Sequence, residues 1–167
     1  PRARAIMVTT SESLANAVSD EVERQLKLLP RESIARPAIE NNSYIAVMDS
    51  VEDMFTVMNE VAPEHLEIQL PDPMGYMSLV QNAGSVFLGA YASEPLGDYV
   101  GGTNHVLPTS GTARFSSPLG VYDFVKRTSF TQFTKERLED VATHITTLAR
   151  TEGLEAHARA IEVRFEK

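Results

Sequence analysis

Three pairs of residues in this 167-residue chain have the types from which acid/base or metal chemistry is built. Glu64 and His65 stand side by side in Ala62-Pro63-Glu64-His65-Leu66. An imidazole is the commonest general acid or base near neutral pH, and a neighbouring carboxylate can activate water. Asp98 and His105 lie seven positions apart in Gly97-Asp98-Tyr99-Val100-Gly101-Gly102-Thr103-Asn104-His105, where glycines let backbone approach a ligand closely. Glu152 and His157 are five positions apart, on either side of Gly153. Each pair also has a plainer reading. Adjacent residues in an extended segment point opposite ways, so Glu64 and His65 need not meet. Asp98 can serve only an Asx-turn, and Glu152 and His157 can be solvated surface.

Composition narrows the chemistry. The chain has no cysteine, so disulfides and thiolate-bound metals are excluded. Any metal must be held by oxygen and imidazole nitrogen, which suits zinc or a manganese-like ion. A net charge of −8 argues against a phosphate backbone as partner, and Arg114, Lys126 and Arg127 are too scattered for a basic patch. No apolar run approaches the ~18 residues of a membrane span, and no signal-peptide core follows Pro1, so a cytoplasmic protein is expected. The glycines of 97–102 do not spell G-x-G-x-x-G between a strand and a helix, so no dinucleotide fingerprint is present.

The elements that must position these groups follow from periodicity. Ala5 to Thr9 and Tyr44 to Met48 are buried-type strands, and His65–Ile68 and Gly84–Leu88 are two more. Ser11 is placed as an N-cap before a stripe of Leu14, Val18, Val22 and Leu26. Ser50 with Asp53 resembles a capping box before Val51, Phe55, Met58 and Val61. Strands alternating with helices imply an α/β fold with a parallel sheet. Five glycines and two prolines between Gly97 and Gly120 read as one long loop. A helix from about Thr134 carries Leu138, Val141, Ile145 and Leu148, with His144 as a structural residue and Gly153 as its C-cap. Residues 154–167 read as a short helix followed by a strand. The expected organisation is an α/β layer over 1–119 and a mostly helical extension over 120–167. The chain opens directly in a strand with no initiator methionine, which suggests a piece of something longer.

Read as strings, these segments resemble the histidinol dehydrogenase family. The matching runs are Ala62-Pro63-Glu64-His65-Leu66-Glu67-Ile68 and Asn82-Ala83-Gly84-Ser85-Val86-Phe87-Leu88-Gly89. After them come Gly97-Asp98-Tyr99, Gly102-Thr103-Asn104-His105-Val106-Leu107-Pro108-Thr109, and the tail's Glu152, Leu154, Ala156 and His157. Their order is the family's order. The resemblance implies a partial Rossmann-like parallel sheet with flanking helices, and oxidation of L-histidinol through histidinal to L-histidine with two NAD. It implies Glu64 and His65 as the acid/base residues, with His65 taking the hydroxyl proton and Glu64 activating the water that hydrates the aldehyde. It implies Asp98 and His157 as zinc ligands that also meet substrate, and His65, His105 and Glu152 as substrate contacts. A further glutamine and histidine ligand, and most NAD contacts, are expected upstream of Pro1, so the chain alone is expected to be inactive. A shared active site in a homodimer is also implied.

Two other readings remain open on the residues. One is a metal-dependent hydrolase built from Asp98, His105 and His157 with Glu64 as base, which predicts turnover without NAD. The other is a non-catalytic assembly or dimerisation module, for which the helical tail speaks.

Overall fold

Residues 2–166 are described by the computed structural model, which divides into two compact units, Pro1–Phe124 and Val125–Lys167. In the first unit β1 (Ile6–Thr9) leads into α1 (Glu12–Leu26). Ser11 caps α1 by accepting the Leu14 N–H, which satisfies one of the free donors of a first helical turn. Then come α2 (Glu32–Asn42), β2 (Tyr44–Val47) and α3 (Val51–Val61). At the start of α3 the Ser50 hydroxyl accepts the Asp53 N–H and donates to the Asp53 carboxylate, so the expected cap is present. After β3 (His65–Ile68) a 3₁₀ segment, Pro73–Leu79, precedes β4 (Ser85–Leu88) and the short α4 (Glu94–Tyr99).

The strands are parallel, as the alternation of elements requires, but they form two pairs rather than one sheet. β1 pairs β2 with Ile6 opposite Tyr44, and β3 pairs β4 with His65 opposite Ser85. The expectation of a buried β2 is corrected. Tyr44, Ile45 and Val47 are exposed, because strand side chains stand on the two faces of the sheet and the described residues cover those of β2 only in part. A helix the sequence reading did not place is α2, which contains Pro37. Proline there removes one backbone bond. α2 is tied to α1 by Arg36, whose guanidinium pairs with Glu23 of α1 and with Glu32 and Glu40 of α2.

The core of this unit lies between α3 and the far face of the β3/β4 pair. Phe55, Met58 and Ile68 are buried there, with Leu66, Val86, Leu88 and Tyr76 packed against them. Phe55 stacks on Tyr76 with ring centroids 5.7 Å apart. Asn59 of α3 stitches the approach to β4. Its amide donates to the Leu79 carbonyl and its oxygen accepts the N–H groups of Gln81 and Asn82. Alternation along β3 and β4 therefore gives Leu66, Ile68, Val86 and Leu88 to the core and leaves His65, Glu67, Ser85 and Phe87 on the opposite face.

The second unit is a helical hairpin, α5 (Lys135–Thr151) and α6 (Glu155–Glu162). Thr134 caps α5. At its other end Gly153, at φ +75°, makes the expected stop. The Gly153 N–H reaches Arg150 and the Leu154 N–H reaches Ala149, a two-bond glycine turn that satisfies the last carbonyls of the helix. Ala149 and Ala158 are buried, and small residues let the two helices approach. Leu148, expected on the buried stripe, is exposed, and its place is taken by Thr146 and Ala149. Among the described residues no strand follows α6: the chain turns through residues 163–165. His144 is exposed.

Candidate active site

Glu64 and His65 owe their position to the way α3 ends. Proline disfavours the helical conformation in the residue before it, so Ala62 cannot continue the helix into Pro63. Ala62 instead takes a left-handed φ of +49°, while its N–H still reaches the Met58 carbonyl at 3.0 Å. The chain then turns into β3. Two backbone bonds hold it there: Gly84 N–H donates to Pro63 at 2.9 Å and Ser85 N–H to Glu64 at 2.8 Å. Gly84 is required by closeness, since a Cβ would lie 2.6 Å from the Glu64 carbonyl oxygen and 3.1 Å from Pro108. Pro108 is buried, and the loop that carries it is tied to α3 where the Arg114 guanidinium donates to the Glu60 carbonyl. The end of α3, the start of β4 and the 106–114 loop thus converge on the backbone of Glu64.

His65 points to the face of β3 away from the core. Its ring lies against Phe87 with centroids 6.1 Å apart, and its side chain is 28% exposed. α4 faces it. The His65 Nε2 is 3.9 Å from a Glu94 carboxylate oxygen, and ligand atoms of His65, Glu94 and Asp98 all fall within 4.8 Å of one another. Burial pushes the Glu94 carboxyl above its ordinary value. The hydrogen bond and charge of Asp98 and the charge of Glu67 add to this, while His65 opposes it. Two carboxylates and one imidazole crowded in this way favour a shared proton or a bound cation. The carboxylate oxygens of this group are donors that a zinc-type ion accepts.

Asp98 was expected in a long loop, and that expectation is corrected. Residues 94–99 are helical because Pro95 fits a first helical turn and a neighbouring carboxylate, Glu67, accepts the Glu94 N–H at 3.0 Å. The irregular segment begins at Val100 and is broken by 3₁₀ turns at Thr112–Arg114 and Val121–Phe124. Glu94, which sequence reasoning missed, lies one turn before Asp98. The i,i+4 spacing of two acids flanking Pro95 and Gly97 was its signal, masked by the glycine-rich run that follows. His105 is exposed in that run, where the Asn104 side chain accepts the Val106 N–H. The structure brings His65 and Asp98 together within the first unit and leaves His105 outside the triad. In the second unit Glu152 closes α5 and His157 sits in the first turn of α6, both exposed.

A family model described as histidinol dehydrogenase matches residues 1–165. The chain belongs to the histidinol dehydrogenase family. Curated histidinol dehydrogenases from Lactiplantibacillus plantarum and Streptococcus mutans are 67% and 60% identical over 165 residues, covering 99% of this chain. One from Listeria monocytogenes is 55% identical over the same length. The chain spans 39% of the length of these histidinol dehydrogenases. A crystal structure of histidinol dehydrogenase from Elizabethkingia anophelis is similar at a TM-score of 0.79 and 38% identity, over 98% of this chain and 37% of that one. No described helix is long and apolar enough to cross a membrane.

Proposed function

We propose that this chain supplies the acid/base residues and part of the metal site of a histidinol dehydrogenase that oxidises L-histidinol through histidinal to L-histidine in the cytoplasm. The observation that carries the proposal is the meeting of His65, Glu94 and Asp98 on one face of β3 and α4, in a chain of this family. His65 is the base: it takes the hydroxyl proton of histidinol as hydride passes to NAD, giving histidinal, NADH and a proton. Glu64 acts in the second oxidation. It takes a proton from the water that adds to the aldehyde, and the hydrate then loses hydride to a second NAD. Imidazole is the side chain most often used as a general base near neutral pH.

Asp98 and His157 would hold zinc, and His105 and Glu152 would meet the substrate. Zinc supplies positive charge that orients the substrate's nitrogens and polarises its oxygen, without redox chemistry of its own. The remaining ligands and most NAD contacts are proposed to lie in the rest of a full-length protein, since the chain spans 39% of its relatives' length. His157 is proposed to serve the site of a second copy. In the second unit Val125, Phe130, Phe133, Leu148 and Val163 are exposed apolar residues of the kind a partner surface covers. The extension over 120–167 is accordingly proposed as a dimerisation element.

NADH formation from histidinol by the full-length protein tests the reading directly, and the isolated chain is expected to form none. Turnover of a hydrolysable substrate without NAD would favour the hydrolase reading instead. For the shared site, mixing full-length Asp98→Ala with full-length His157→Ala should restore part of the activity, since one hybrid site keeps both ligands. No rescue despite demonstrated subunit exchange would place both ligands in one subunit.

A further inference from the structure

α4 is the shortest α-helix described in the first unit, yet it presents both Glu94 and Asp98 to His65. Its own N-cap residue, Ser93, makes no side-chain cap bond. The free N–H of Glu94 is taken instead by the carboxylate of Glu67, at 3.0 Å. Glu67 lies two residues beyond His65 on β3, so strand alternation puts both on the same face. The other Glu67 oxygen accepts from the Gln69 side chain at 3.2 Å, which leaves the first oxygen turned to α4. A second contact fixes the helix further along. Gly97 rests on the buried ring of Phe87, where a Cβ would meet Cζ at 2.8 Å. Phe87 is the ring against which His65 lies, and it stands opposite Glu67 across the β3/β4 pair.

We propose that Glu67 is a positioning residue for this site. Its carboxylate is a cap supplied from the strand of the base to the helix of the metal ligand, with Gly97 on Phe87 as the second point of the clamp. Its consequence for turnover rests on His65 and Asp98 acting as proposed above. The clamp itself does not. A hydrogen bond from a backbone N–H to a carboxylate is among the stronger neutral-to-charged contacts, and here it sets the distance between two functional groups on separate elements. A displacement of about 1 Å in such groups can lower turnover by as much as ~10²-fold.

The test uses full-length Glu67→Ala and Glu67→Gln, with Gly97→Ala as a variant that reaches α4 through its other contact. Hydrogen exchange of the peptide covering residues 93–101, zinc release to a chelator, and kcat and KM for histidinol are measured. Glu67→Ala should exchange faster in that peptide alone, release zinc sooner and lose about tenfold in kcat. Glu67→Gln keeps an acceptor oxygen and should recover most of each, and Gly97→Ala should resemble Glu67→Ala. Unchanged exchange in Glu67→Ala overturns the proposal. So does faster exchange throughout the chain, or a Gln variant as impaired as the Ala variant. If the unmodified protein forms no NADH from histidinol, the catalytic reading fails, while the exchange data still decide whether Glu67 holds α4.

Discussion

Residues 61–99 and residues 125–167 both carry groups of the proposed site, and they hold them by different means. In the first segment His65, Glu94 and Asp98 are fixed by contacts between elements distant in sequence: a strand carboxylate on a helix N–H, a glycine on a phenylalanine ring, a left-handed turn into β3. In the second, Glu152 and His157 depend on local structure, a glycine stop and the start of the next helix. The first segment has its geometry built in. The second presents exposed polar groups at the turn of a helical hairpin. The proposed site would be set by tertiary packing in one half and, if the proposed dimer forms, by association in the other.

The contrast can be broken most sharply at Glu64. In the full-length enzyme Glu64→Gln should lower histidinal oxidation by about 10²–10⁴-fold while reducing histidinol oxidation far less. Separate assays with the two substrates check this, and equal losses would remove Glu64 from water activation. A medium effect is expected in the hairpin. Ala158 is fully buried, so Ala158→Leu overpacks α6 and should destabilise the tail by about 1–3 kcal/mol, read from its denaturant midpoint. If the midpoint does not move, the two helices are looser than described. The smallest effect concerns pH. Arg150 lowers the carboxyls of Glu155 and Glu162 below their usual value of 4.5, and Arg159 contributes to both. Their contribution is therefore present above about pH 4.5 and is lost as pH falls through the lowered values. These side chains are exposed, so tail helicity followed by circular dichroism should decline only slightly on acidification, and less in high salt.

Local signals in the sequence were enough for the elements they control. Ser11, Ser50 and Gly153 announce their caps, and the 3.6-residue stripes place α1, α3 and α5. Pro37 hid α2, because proline reads as a breaker while Arg36 and its three acids carry the helix through. α4 was hidden for a deeper reason. Its cap comes from Glu67, 27 positions earlier, and no local pattern reports a bond of that span. Glu94 was missed with it. His65 and Asp98 were legible as strings of a family, but their meeting on one face depends on the pairing of β3 with β4 and on Gly97 fitting over Phe87.

Ala62 carries a consequence for how this chain can vary. Its side chain is completely covered and its backbone is left-handed. A larger residue has no room, and a β-branched one is refused by the dihedral as well. Glycine would relax the dihedral but free the unfolded backbone and strip a buried methyl from the packing. In a library randomised at position 62, alanine should be recovered almost alone, a fixed point in sequence space set two residues before the proposed catalytic carboxylate.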